Sequence, residues 1–173
     1  MMALDVNSTV WNFRNWGRPF QLVSPLLDCS SPETTPIQIA CDKKNSAVLT
    51  RSGDVCVWWP FHGTIENQYQ EAMAELDKDK STKATVSDGG MVIPCYTWEI
   101  NKDPVKLPNL PNLPDFPGTG MPEEEPRKKT KLIQIVFSDD HLIGLTNKGH
   151  ILQMNLFYME KSPKRWCYVS ESA

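Results

Sequence analysis

His62, His141 and His150 are the side chains of this sequence best suited to acid–base or metal chemistry near neutral pH. They fall in separate segments with no H-x-x-x-H spacing, which argues against a zinc site. Asp139-Asp140-His141 sets carboxylates beside an imidazole, the pair that general acid–base catalysis uses. Aligned with an internal repeat, however, this tripeptide falls on a polar turn at Lys44 and Asn45, where Asp and His bond local backbone. A structural contact is therefore expected there. Cys29, Cys41, Cys56, Cys95 and Cys167 show neither C-x-x-C nor metal-ligand spacing. Cys41 and Cys56 sit in strand-like runs, where a thiol acts as a small hydrophobe. The sequence has no G-x-S-x-G elbow, phosphate loop or G-x-G-x-x-G. The expectation is a chain that is not an enzyme, with no catalytic residue, cofactor or metal.

What must position these residues is a repeat. Residues 37–59 and 133–155 align without a gap, 96 positions apart. Ile-Gln-Ile opens both, Leu49-Thr50 recurs as Leu145-Thr146, and Gly53 recurs as Gly149. Each copy holds two short β-branched or apolar runs around a Gly-containing polar stretch, the pattern of a β-hairpin. Gly53 and Gly149 are expected to supply the positive φ of the turn. A weaker third copy sits at an offset of 45, where Leu4, Ser8, Val10 and Phe13 fall on Leu49, Gly53, Val55 and Trp58. The chain is thus expected to start inside a repeat, with that repeat's first strand missing. Repeated units cannot bury their apolar faces alone and must stack on neighbours.

The pattern L-T-x-x-G-x-V-x-x-W, with His or Asn four residues before the Leu, resembles the repeat of the regulator of chromosome condensation family. Leu49, Thr50, Gly53, Val55 and Trp58 carry it, with Asn45 at the polar position. Leu145, Thr146, Gly149 and Ile151 carry it again, with His141 at the polar position and Met154 in place of the Trp. Longer strings at 17–20, 30–36, 57–61, 107–114 and 141–150 are similar to the fungal SCF-associated factor type of F-box protein. The resemblance implies that each repeat contributes to one blade of a seven-bladed β-propeller. It also implies an F-box that docks on the Skp adaptor of a cullin–RING ubiquitin ligase, while the propeller selects substrate. Trp59 and Asn155 depart from the pattern, standing where the family has Gly after the repeat Trp. No F-box-like helical segment precedes Met1, so binding of a Skp-type adaptor is not expected.

At roughly 50 residues per blade, seven blades need about twice this length. The expected fold is therefore all-β: a partial β-propeller of about three blades, a single domain over residues 1–173, with a short helix and a proline-rich loop inserted. The repeat units are placed at 1–23, 37–61, and 91–100 with 132–158; the insertions are 62–90 and 101–131. Within the first insertion, Tyr69, Met73 and Leu76 have helical spacing over Glu66 to Lys80, either packing on the rim or offering a partner-binding face. The stretch 91–100 reads as a strand pair, or a strand broken at Pro94. Residues 103–126 hold half of the 14 prolines and cannot form helix or central strand. Leu107, Leu110 and Leu113 there are expected to pack onto the sheets as an ordered, polyproline-like loop. Arg127-Lys128-Lys129-Thr130-Lys131 reads as a solvated linker. Arg165 to Val169 reads as an outer strand that starts closing a further blade.

A net charge of −3 offers no field for nucleic acid. No apolar run spans a membrane, and the unpaired cysteines fit a reduced cytoplasmic or nuclear compartment. The resemblance implies a protein-interaction scaffold, like the substrate-recognition propeller of an SCF-type E3 ubiquitin ligase, contacting a protein substrate or ligase adaptor. The alternative it implies is a guanine-nucleotide exchange factor for a small GTPase. A third option is an enzyme inhibitor on the same propeller, which a secretory signal would favour. An unclosed arc exposes apolar faces at both ends and is expected to self-associate or be poorly soluble.

Overall fold

A computed structural model describes residues 1–15, 18–58, 63–78, 84–86, 92–94, 98–101, 104–114, 129–156 and 165–169. In chain order these form β1 (Met2–Leu4), β2 (Val10–Asn15), β3 (Arg18–Val23), a 3-10 turn (Pro25–Leu27), β4 (Pro36–Cys41), β5 (Ser46–Thr50), β6 (Val55–Trp58) and α1 (Gly63–Lys78). Then follow β7 (Ala84–Val86), β8 (Val92–Pro94), β9 (Trp98–Asn101), β10 (Val105–Lys106), β11 (Leu132–Ser138), β12 (His141–Thr146), β13 (Ile151–Asn155) and β14 (Cys167–Tyr168). The strands assemble into three four-stranded sheets. Sheet one runs β1-β2-β3-β9, sheet two β10-β6-β5-β4, and sheet three β11-β12-β13-β14; β7 and β8 make a separate ribbon. All pairings are antiparallel except β3 with β9, which is parallel.

The repeat is real at the level of register. Pro36 pairs with Thr50 and Gln38 with Leu49 across a bulge. Leu132 pairs with Thr146 and Gln134 with Leu145 across the same bulge. The β5–β6 register, Leu49 with Val55 and Val48 with Cys56, returns in β12–β13 as Leu145 with Ile151 and Gly144 with Leu152. It returns again in β1–β2 as Leu4 with Val10 and Ala3 with Trp11.

Register also fixes the faces, because side chains alternate along a strand and directly paired residues share a side. Ala40, Ala47, Leu49, Val55 and Val57 lie on one face of sheet two and pack with Leu132, Ile135, Leu142 and Met154 of sheet three. The other face, Ile39, Val48, Cys56 and Trp58, packs with Met2, Leu4 and Val10 of sheet one. Sheets one and two thus each set the far face on the near face of the next. Every residue of β5 and β6 is buried, since both sides of sheet two are covered. Burying one such Leu or Val contributes about 1.5–3 kcal/mol.

Four features differ from the sequence reading. The helix begins at Gly63, earlier than Glu66, and ends at Lys78. It is anchored by Ile65, which is buried in the cluster that holds Trp58. Tyr69 and Met73 are buried one and two turns further on; the side chain of Leu76 lies outside those described. The described strands within 91–100 do not join sheet three: β8 pairs with β7, and β9 with β3. A parallel partner needs a long crossover, which the intervening chain supplies. The fourth strand of sheet two is β10, reached after the whole first insertion. Likewise β14 closes sheet three itself by pairing with β13. Two-residue edge strands carry too little alternation to be read from sequence.

Candidate functional site

The repeat positions Leu49, Thr50, Gly53, Val55, Leu145, Thr146, Gly149 and Ile151 build two matching turns. Gly53 and Gly149 have φ of 90° and 84°. In each turn the Gly N–H donates to the preceding Thr carbonyl, Thr50 at 2.9 Å and Thr146 at 3.1 Å. The Thr N–H in turn donates to Asp54 or His150 carbonyl, both at 2.9 Å. In sheet one Ser8, at φ 63°, takes the glycine place, and its N–H donates to the Asp5 carbonyl at 3.0 Å. The Thr146 hydroxyl accepts from Lys148 N–H at 3.3 Å and His150 N–H at 3.0 Å. The carboxylate of Asp5, at the same repeat position, accepts from Asn7 N–H at 2.8 Å and Thr9 N–H at 2.9 Å. The indole of Trp11 bonds the other Asp5 oxygen, and this bond leads in holding that carboxyl below its usual range.

The Gly53 turn of sheet two faces a cleft whose other walls are the 107–110 segment, the chain entering β11, and Trp166. A cavity of about 80 Å³ is lined by Ser52–Val55, Leu107–Leu110, Lys129–Leu132 and Trp166. At about 30 Å³ per water it has room for two or three waters, or one small side chain. Lys106 reaches Asp54 at 2.8 Å beside it; both are partly exposed, so the pair adds little to stability. Gly53 lies so close to sheet three that a Cβ would stand 2.5 Å from the Lys131 Cβ.

Along this cleft runs the leucine–proline segment 107–114. Leu107 is buried and Leu110 packs beside it in the cluster between sheets two and three. The chain is held mainly through its carbonyls. Trp166 Nε1 donates to Pro108 at 3.0 Å, and Lys148 Nζ donates to Leu113 at 2.6 Å. His150 Nε2 lies 2.6 Å from the Pro114 carbonyl, which can only accept, so Nε2 carries the proton. In the neutral ring Nδ1 then accepts from the Tyr168 hydroxyl at 3.1 Å. The Thr130 hydroxyl accepts Leu113 N–H at 2.9 Å. Sequence reasoning gave Leu107 and Leu110; Leu113, also expected to pack, is half-buried outside that cluster and held by its backbone, and this set of donors was missed. Its one available signal was that Lys148 and His150 flank the repeat glycine.

The candidate chemical residues are dispersed. His141 accepts from Asn155 Nδ2 at 3.3 Å, while the Asp140 carboxylate lies 3.8 Å from Lys44. Asp139 takes a positive φ of 50° in the β11–β12 turn. Cys56 is buried, and desolvation, with the Asp54 charge second, pushes its thiol up to about 11. Among the described residues no group of three or more His, Cys, Asp and Glu could hold a metal. His62, Trp59, Cys95 and residues 115–128 lie outside the described residues. Compared with known proteins, the chain matches no family model and no curated protein. No helix among the described residues is long and apolar enough to cross a membrane. Trp58 serves packing, fully buried against sheet one.

Proposed function

We propose that this chain is a protein-interaction scaffold: three blades of a β-propeller of the regulator of chromosome condensation type, on the substrate-recognition side of an SCF-type ubiquitin ligase. The observation that supports it is the recurrence of one register, one turn and one far-to-near packing in successive sheets. Such stacking builds a rigid platform and leaves binding to the loops at its ends. The end carrying the Gly53 and Gly149 turns, the 107–114 segment and the cleft beside Trp166 is the face assigned to a protein substrate. The 107–114 segment fixed there leaves a small cavity, suited to one small side chain of an extended peptide. The module brings a substrate near a ligase in the cytoplasm or nucleus and performs no chemistry itself. Binding of a Skp-type adaptor is not assigned to these residues.

The test is a fusion of an F-box to this chain, expressed in fungal cells and compared with the chain alone. Proteins that bind the purified chain directly should show shortened half-lives only with the fusion. Trp166→Ala should weaken that binding. Unchanged half-lives for every direct binder would contradict the proposal. Accelerated nucleotide release from a small GTPase would replace it with the exchange-factor reading.

A further inference from the structure

The far face of sheet two is a template for the far face of sheet three. On sheet two, paired register groups Gln38, Ala40, Ala47, Leu49, Val55 and Val57. On sheet three the same positions, each 96 residues on, hold Gln134, Val136, Ile143, Leu145, Ile151 and Gln153. The first set is covered by sheet three. The second is apolar at four of its six positions, and Val136 and Ile151 are each 53% exposed.

A polar anchor repeats as well. Gln38 Nε2 donates to the Ile135 carbonyl at 2.7 Å, and Gln38 Oε1 accepts the Ile135 N–H at 2.9 Å. One side-chain amide thereby satisfies both backbone groups of one residue in the next sheet. Its counterpart Gln134 is exposed. Exposure alone does not mark the face, because Ile37 and Ile133 are both exposed (42% and 47%) although sheet two is already covered. What changes between the two units is the exposure at Gln38 to Gln134, Ala40 to Val136 and Val55 to Ile151, all on the covered side of sheet two.

We infer that the far face of sheet three docks the near face of sheet one of a second copy of this chain, head to tail. The occupant follows from continuity with the interfaces inside the chain, where each far face takes a near face. Sheet one carries such a near face outward: Ala3, Trp11 and Phe13 are the counterparts, 45 residues earlier, of Val48, Cys56 and Trp58. All three are half-buried. A heterologous contact of this kind closes into a ring or grows into a filament.

Sedimentation velocity over a concentration series tests this on the whole chain. The native chain should form concentration-dependent oligomers. Val136→Asp and Ile151→Lys should each weaken association at least tenfold with an unchanged melting temperature, whereas Ile133→Lys, off the face, should not. Val136→Asp keeps its sheet-one face, so added in small amounts to the native chain it should cap and shorten the assemblies. A monomer at every concentration would overturn the inference, as would association insensitive to both face variants. Oligomers that Val136→Asp cannot shorten would overturn the head-to-tail mode.

Discussion

Gly53 and Gly149 share a backbone conformation but not a neighbourhood, and their substitutions should separate the two contributions. A Cβ at φ near 90° strains either turn by about 1–2 kcal/mol. At Gly53 the added carbon also meets the Lys131 Cβ at 2.5 Å and the Leu132 backbone nitrogen at 3.0 Å. That overlap costs roughly 1–3 kcal/mol more. Urea unfolding of Gly53→Ala should therefore show a larger loss than Gly149→Ala. Cys56 supplies the pH dependence at this scale. Its folded thiol titrates near 11 against an ordinary 9.0, so the neutral thiol stabilises the fold fully below pH 9. That contribution is lost as pH rises through 11, at about 1.4 kcal/mol per unit of separation. Cys56→Ala should flatten the fall in melting temperature between pH 9 and 11, and thiol reagents at pH 8 should leave Cys56 unmodified in the folded chain.

At the scale of elements, the Gln38 amide is the joint between sheets two and three. Gln38→Leu leaves the N–H and carbonyl of Ile135 without their partner and should cost about 1–3 kcal/mol in urea unfolding. The Ile135 amide should then exchange faster, while the Leu142 amide keeps its rate. The leucine–proline segment is held by Trp166, Lys148, His150 and Thr130. Trp166→Phe keeps the ring and removes only the indole donor, so limited proteolysis within 107–114 should quicken without a change in melting temperature beyond a few degrees. The hairpins and their glycine turns were legible because alternation, β-branching and a φ-positive residue coincide at Gly53 and Gly149. Leu107 and Leu110 were legible for a different reason: a leucine period of three among prolines puts them on one side of a polyproline-like chain. The fourth strands were not: β10 and β14 have two residues each, and β9 finds β3 across a long crossover. The Lys148 and His150 donors were hidden because their partners come from far along the chain.

For the molecule as a whole, the sequence repeat sets a direction: a far face, a near face, and a side-chain amide between them. Three stacked sheets cover both faces only for sheet two, whose central strands β5 and β6 are buried throughout. The outer faces of sheets one and three are where the proposed head-to-tail contact would form, and the turn end with its proline segment is the surface proposed for a substrate. The sequence reading anticipated stacking from recurrence alone. The identity of each face waited on register, because a one-residue slip would exchange the two sides.

The central claim is that sheets two and three pack far face to near face, and methyl-to-methyl nuclear Overhauser contacts in the native chain test it most directly. The account predicts cross-peaks linking Ala47 and Leu49 to Leu132, Leu142 and Met154. Cross-peaks from Ala47 and Leu49 to Ile143 and Ile151 instead, with none to Leu142, would contradict it.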